Sequence, residues 1–351
     1  MIRSSTMRAA VAAAGLAAAS AATAQSVQMV GLIDMTAGRL QNAGEPHVWR
    51  ADSGGMTTSF LGIRGSDDLG GGLKARFALD HFLRADSGQP GRFNGDAFWA
   101  RDAYVGLSGA FGTTVLGRNT TPLFVSTVLF NAFGDSFAFS PAVRQIFTPV
   151  AQPGSPMVPF FGDSGWNNSL HYASGDDDED GFSWNLIGNL GENAPGTGRN
   201  VGANLMYANG PLEATLAWQR VRNGDGISTG LPATPPGFSK QDTWFVAFSY
   251  DLQAVKLFSH AAMVRTRADQ HRTTKLWGVG ASLPLGPGKL LAQYGSAEAR
   301  LDGAEPSNRT LTVGYDYFLS KRTDVYAVYM NDRVSGLNAG NSLAGGVRIR
   351  F

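Results

Sequence analysis

The chain has 351 residues, with 29 Lys and Arg against 28 Asp and Glu, 45 Gly and no Cys. Without thiols, a disulfide scaffold, a zinc–thiolate centre and a Cys nucleophile are excluded, and a formal charge of +1 leaves no strong field to recruit nucleic acid. Charged residues make up only 16 % of the chain, yet the mean hydropathy is −0.11, so low charge does not come with continuous hydrophobic stretches.

The first element is an export signal. Arg3 and Arg8 precede an apolar run over 9–19, and Ala22-Thr23-Ala24 follows. A charged segment, an apolar stretch too short to span a bilayer and an A-x-A site together predict a signal peptide over 1–24. The mature chain is expected to be 25–351, in which 27 basic residues face 28 acidic ones. No later run of 18 apolar residues offers a membrane-spanning helix.

Beyond the signal the apolar residues alternate. In 72–83, Leu73, Ala75, Phe77 and Leu79 oppose Lys74, Arg76, Ala78 and Asp80. In 211–220, Leu212, Ala214, Leu216 and Trp218 oppose Glu213, Thr215, Ala217 and Gln219. In 309–319, Leu311, Val313, Tyr315, Tyr317 and Leu319 oppose Thr310, Thr312, Gly314 and Asp316. A period of two is the mark of β-strands. Sixteen strands are expected, over 27–39, 56–65, 72–83, 97–108, 113–118, 167–174, 182–192, 200–209, 212–222, 241–250, 254–266, 273–283, 290–299, 309–319, 323–333 and 342–351. Short connections such as "SDDLGG", "GAFG", "NGP" and "SKR" alternate with longer ones, the longest being 119–166.

An exported, Gly-rich chain of alternating strands, short turns on one side and long loops on the other predicts an all-β antiparallel transmembrane barrel in the outer membrane of a Gram-negative bacterium. The closing run sets Val347, Ile349 and Phe351 against Arg348 and Arg350. Lipid tolerates no open sheet edge, so the last strand must pair with the first. That pairing puts Phe351 in the periplasmic aromatic girdle and the two arginines in the wet lumen.

Several stretches now carry a resemblance. "VGLIDMTAG", "LGIRGSDDLGGGLKARFAL", "ARDAYVGLSGAFGTTVLGRNTTP", "GYDYFLSKRTDVYAVYMN" and "GGVRIRF" resemble the general porins of β-proteobacteria, in order along the whole mature chain. The resemblance implies a homotrimer of sixteen-stranded barrels, with a third loop folded inward to narrow a water-filled channel for small hydrophilic solutes and ions. It also implies that Phe351 signals to the outer-membrane assembly machinery. A loop as long as 119–166 independently invites a functional reading.

The resemblance implies a wall cluster of arginines facing acidic residues on the third loop. Arg101 and Arg118 match family wall arginines, and Arg64 lies on the lumen parity of its strand. Phe60 stands where the family often has an arginine, and the arginine before "NNS" is replaced in Gly165-Trp166-Asn167-Asn168-Ser169. Arg101 shares parity with Val105 and Leu107, and Arg118 with Leu116, so each needs a bulge or an interfacial position to reach the pore. The third loop carries eight Phe over 119–166 and, as charges, Asp135, Arg144 and Asp163. Its rings either pack the loop on the wall or, with Phe60, line a narrow pore.

Other chemistries find little support. Asp176, Asp178 and Asp180 begin like a calcium loop, but the closing position is Ile187 instead of Glu, so the run reads as a solvated turn, with weak Ca²⁺ binding as the alternative. The five His fall in no H-E-x-x-H pattern. No cofactor is expected. A plugged barrel serving as scaffold or adhesin, and a barrel hydrolase, are the competing functions.

Overall fold

The computed structural model describes residues 26–147, 161–175, 180–190, 199–222, 236–300 and 305–351. The expected signal peptide, Asp176 and Asp178 lie outside them. In chain order the strands are β1 (Ser26–Leu40), β2 (Val48–Ser53), β3 (Phe60–Gly70), β4 (Leu73–Arg84), β5 (Gln89–Pro90), β6 (Asp102–Gly109), β7 (Gly112–Thr120), β8 (Gly165–Ala173) and β9 (Gly181–Asn189). They continue with β10 (Val201–Asn209), β11 (Leu212–Arg222), β12 (Lys240–Asp251), β13 (Lys256–Arg267), β14 (Arg272–Leu285), β15 (Gly288–Arg300), β16 (Ser307–Phe318), β17 (Thr323–Val334) and β18 (Gly340–Arg350). Among the described residues two helices, α1 (Pro122–Leu129) and α2 (Pro141–Phe147), lie between β7 and β8.

Sixteen of these strands form one closed antiparallel barrel. Neighbours pair in sequence order, and β1 meets β18 with Leu32 opposite Arg350 and Arg39 opposite Leu343. Phe351 completes the seam: its N–H donates to the Gly31 carbonyl at 3.0 Å and its carbonyl accepts from Gly31 N–H at 2.9 Å. Closure leaves no sheet edge in lipid, the condition that lets a sheet span a membrane. The two extra strands are short. β5 is a two-residue pairing on β4. β2 is the outer half of the barrel's second strand, which pairs with the outer half of β1, while β3 pairs with its inner half.

That split corrects the expected strand at 56–65. Residues 54–59 leave the wall and turn inward, burying Met56, Thr57 and Ser59. The Asp34 carboxylate of β1 holds the turn, accepting from the amides of Met56 at 2.6 Å and Thr57 at 2.7 Å and from the Tyr326 hydroxyl at 2.6 Å. Ser59 Oγ accepts from the Asp34 amide at 2.9 Å. The amides freed from the ladder therefore find partners.

Elsewhere the alternation holds. On β12, Trp244, Val246, Phe248 and Tyr250 are exposed to the outside while Gln241, Thr243, Phe245, Ala247 and Ser249 are buried inside. Phe111, Phe182, Tyr250, Phe318 and Phe351 cluster near the short turns, and Trp218, Trp244 and Trp277 towards the long loops, giving two aromatic girdles. The largest apolar cluster lies within the lumen. There Leu123, Phe130, Val143, Ile146 and Phe147 of the third loop pack on Met206, Ala217, Phe245, Ala247, Ala262, Leu276, Ala297 and Ala299 of the wall. Alanine at five of the eight wall positions makes room for a loop inside the barrel.

Candidate functional site: a constriction inside the barrel

The third loop enters the lumen at Thr121, whose side chain caps α1 by accepting from the Phe124 amide at 3.3 Å, and Pro122 starts the helix with no amide to satisfy. α1 packs on β9 to β12 and α2 on β14 to β16. Polar contacts fix the loop in place. Ser126 Oγ shares a hydrogen bond with Thr215 Oγ1 at 3.0 Å and accepts from Asn204 Nδ2 at 3.0 Å. Thr312 donates to the Phe139 carbonyl at 2.8 Å, and Arg144 pairs with Asp332 at 3.2 Å. Asn131 ties the bend between the helices, donating to the Thr127 carbonyl at 2.7 Å and accepting from the Phe133 amide and the Ser140 hydroxyl at 2.9 Å each.

The tip of the loop crosses to the inward turn of residues 54–59. Ser136 donates to the Gly55 carbonyl at 2.6 Å, and Thr57 donates to Asp135 Oδ1 at 2.9 Å. Burial pushes the Asp135 carboxyl above its ordinary pKa, against the Thr57 hydrogen bond and the nearby cations of Arg101 and Arg348. The loop thus bridges two sides of the barrel and narrows the passage between them.

The wall opposite carries two charged clusters. In the first, buried Asp80 accepts from Arg64 Nη2 at 2.5 Å and Nε at 3.2 Å, and Arg101 Nε lies 3.8 Å away. The Arg101 guanidinium also stands 3.8 Å from the centre of the Phe60 ring, a cation–π contact. Arg64 is 44 % exposed and Arg101 27 %, so both present charge to the lumen while Asp80 does not. In the second, Arg348 donates to Asp324, Asp316 and Thr57 Oγ1 at 2.9 Å each, and Arg350 donates to Asp324 at 2.6 Å. Below the loop lies a vestibule of about 880 Å³ lined by Lys256, Lys289, Lys321, Arg348 and Arg350 and by Asp135, Asp251 and Asp316.

The arginine expectations divide. Arg101 reaches the lumen because β6 begins at Asp102, so Arg101 belongs to the preceding loop and escapes strand parity. Arg118 is turned inward as its parity required, by a bulge between Gly117 and Asn119 with Gly117 at φ +142°. It does not open onto the pore, however. Arg118 is 6 % exposed, donates to Asp163 at 3.0 Å, to Asn167 at 2.7 Å and to the Ala100 carbonyl at 2.5 Å, and so corrects its placement in the constriction. Arg92 joins it, pairing with Asp163 at 2.8 Å and with Asp96 at 2.9 Å. Burial alone would raise the Asp163 carboxyl, but Arg92 and Arg118 overcome it and hold it below the usual carboxylate range. This network staples the end of the third loop to the wall.

The loop's rings mostly pack. Phe130, Phe133, Phe139, Phe147 and Phe161 are buried, and Phe124 and Phe137 stack on each other at 5.6 Å. Phe60, half-buried beneath Arg101, is the ring that joins the charged wall. Asp180 accepts from the Gly210 amide at 3.2 Å, a turn contact, and no metal-ligating group of three carboxylates or His occurs among the described residues. Sequence reasoning missed Asp34, Thr57, Asp316, Asp324 and Tyr326. A carboxylate inside a membrane strand is itself a signal, because such a group needs a partner, and Asp34, Asp316 and Asp324 all carry it.

A closed membrane barrel with a wet, charged lumen narrowed by an inward loop defines the class of outer-membrane diffusion channels. The chain belongs to the Gram-negative porin family, whose model matches residues 9–337. It is 29 % identical to outer membrane porin protein 32 of Delftia acidovorans, over 96 % of this chain and 94 % of the relative. It is 27 % identical to an outer membrane porin protein of Bordetella pertussis, over 78 % of this chain and 77 % of that relative. Its fold matches that of an anion-selective porin from Comamonas acidovorans with a TM-score of 0.75 at 23 % identity, over 93 % of this chain and all of the other. The protein is an outer-membrane porin that passes small hydrophilic solutes and ions by passive diffusion.

Proposed function

We propose that the third loop over 119–166 is the constriction of this porin, and that Arg64 and Arg101 on the wall face Asp135 on the loop across it. The observation that carries the reading is the bridge from Thr57 and Gly55 to Asp135 and Ser136, which fixes the loop tip near both wall clusters. The field favours anions modestly. Five cations face three carboxylates in the vestibule below, and a structural neighbour is named an anion-selective porin. Phe60 takes the place of a further cation and weakens the field. The working unit is a homotrimer in outer-membrane lipid, processed after Ala24 and delivered by the assembly machinery that reads Phe351. The protein performs no bond chemistry.

Single-channel recording of the folded, processed protein in a planar bilayer tests this. Steady conductance with a reversal potential of anion sign is expected. Negligible conductance would mean that the bridging loop plugs the barrel and that the protein serves as a scaffold or adhesin. Mass spectrometry of outer-membrane protein should find a chain starting at Gln25.

A further inference from the structure

The outer, lipid-facing side of β11, β12 and β13 changes character at one level. Going outward, β11 presents Leu216, Trp218 and Arg220, β12 presents Val246, Trp244 and Asp242, and β13 presents Ala261, Met263 and Arg265. The register places Arg220, Asp242 and Arg265 side by side, and one step further out Arg222, Lys240 and Arg267. These charges are not in the pore. Leu216 and Trp244, on the same parity, are 48 % and 45 % exposed, whereas the opposite parity, Gln219, Gln241 and Val264, is buried inside the barrel.

Together the charges and rings form a groove of about 440 Å³ on the barrel's exterior, lined by four cations and a single carboxylate over two tryptophans. Asp242 is already engaged, by Arg220 at 2.6 Å and Lys240 at 3.4 Å. Arg265 and Arg267 are exposed and have no carboxylate within salt-bridge distance among the described residues. The Trp218 and Trp244 rings lie 6.0 Å apart, and the Arg220 guanidinium sits 5.5 Å from the Trp218 ring. Tryptophan marks the headgroup level of a bilayer, so cations immediately beyond it stand where lipid phosphates stand. A lipid-facing arginine is costly at the bilayer midplane and nearly free at this depth, more so with an anion beside it.

We infer that this groove binds the phosphate of an anionic glycolipid of the outer leaflet. The phosphate sits between Arg265, Arg267 and Lys240, and the acyl chains lie along Leu216, Val246 and Ala261. Arginine's planar fork suits a phosphate, and the long connection after β11, over 223–239, puts the groove on the outer side. The inference rests on the outer-membrane reading but not on the pore's selectivity.

The test is native mass spectrometry of the full folded barrel in detergent, titrated with bisphosphorylated lipid A, with lipid A stripped of both phosphates, and with phosphatidylcholine. Retention of the bisphosphorylated lipid alone is expected. Near a charged surface each basic residue contributes about fivefold in affinity, so Arg265→Gln with Arg267→Gln should weaken binding roughly 25-fold. Asp242→Asn should strengthen it by freeing Arg220 and Lys240, a change in the direction that misfolding cannot produce. Single-channel conductance should be the same in all three proteins. The inference is overturned if the double variant keeps the lipid as wild type does or if the phosphate-free lipid binds equally well. It is overturned too if inorganic phosphate displaces the lipid at equal concentration, since that would be a site for the free ion.

Discussion

On the proposed reading of the constriction, Arg101→Gln removes one of its two wall cations, Arg64 being the other. The guanidinium is 27 % exposed, 3.8 Å from buried Asp80 and 3.8 Å from the Phe60 ring, so its charge is only partly neutralised. An ion passing about 8 Å away through water feels roughly 0.5 kcal/mol from a unit charge. Cations and anions feel it with opposite sign, so before screening their ratio changes by about fivefold. Screening lengths of about 30 Å, 10 Å and 3 Å at 0.01, 0.1 and 1 M reduce this to roughly fourfold, twofold and nothing. The assay is the reversal potential in tenfold KCl gradients, once between 0.01 and 0.1 M and once between 0.1 and 1 M. The variant should shift toward cations in the dilute gradient and much less in the concentrated one. Phe60→Arg, which sets a cation at the place of the ring, should shift the other way. An unchanged potential for Arg101→Gln in the dilute gradient would refute a wall field carried by Arg101, and a shift that persists at 1 M would show that pore geometry, not charge, had changed.

Arg118→Gln should leave selectivity unaltered but break a buried network, a loss of about 3–5 kcal/mol, read as a lower temperature for the loss of the folded band on gels. The Asp163 and Asp96 carboxyls are held below their ordinary range, so the stability they contribute is complete above about pH 4 and is lost as pH falls through their depressed values. Loop protection from protease should therefore collapse in acid only below that point. Asp135 has the opposite sign. Its raised pKa means that it gains a proton at higher pH than a free carboxyl, so anion preference should rise as pH falls toward 4, and Asp135→Asn should abolish that rise. Phe351 rests on Gly31, where an added Cβ would come within 2.5 Å of the ring. Gly31→Ala and deletion of Phe351 should both lower the yield of folded barrel and leave the conductance of the surviving fraction unaltered.

The wall of this barrel is legible in the sequence because strand parity is a local property. A two-residue period needs no partner to be read, and Leu216, Trp218 and Val246 face outward as their alternation implies. Closure follows from the same pattern, since an open edge is not tolerated in lipid. The long third loop is visible by length alone, but its eight Phe left packing on the wall and lining of the pore both open. Which charges reach the pore was decided by tertiary structure. Arg101 and Arg118 read alike along the chain, yet β6 begins at Asp102 instead of 97 and frees Arg101, while a bulge buries Arg118 against Asp163. The break at residues 54–59 has no local signature either. It exists because Asp34 and Tyr326, 292 residues apart, meet beneath it, and because Thr57 can then join Arg348 to Asp135. Contacts at such separation depend on how the closed barrel brings strands and loop together, and a two-residue repeat carries no record of that.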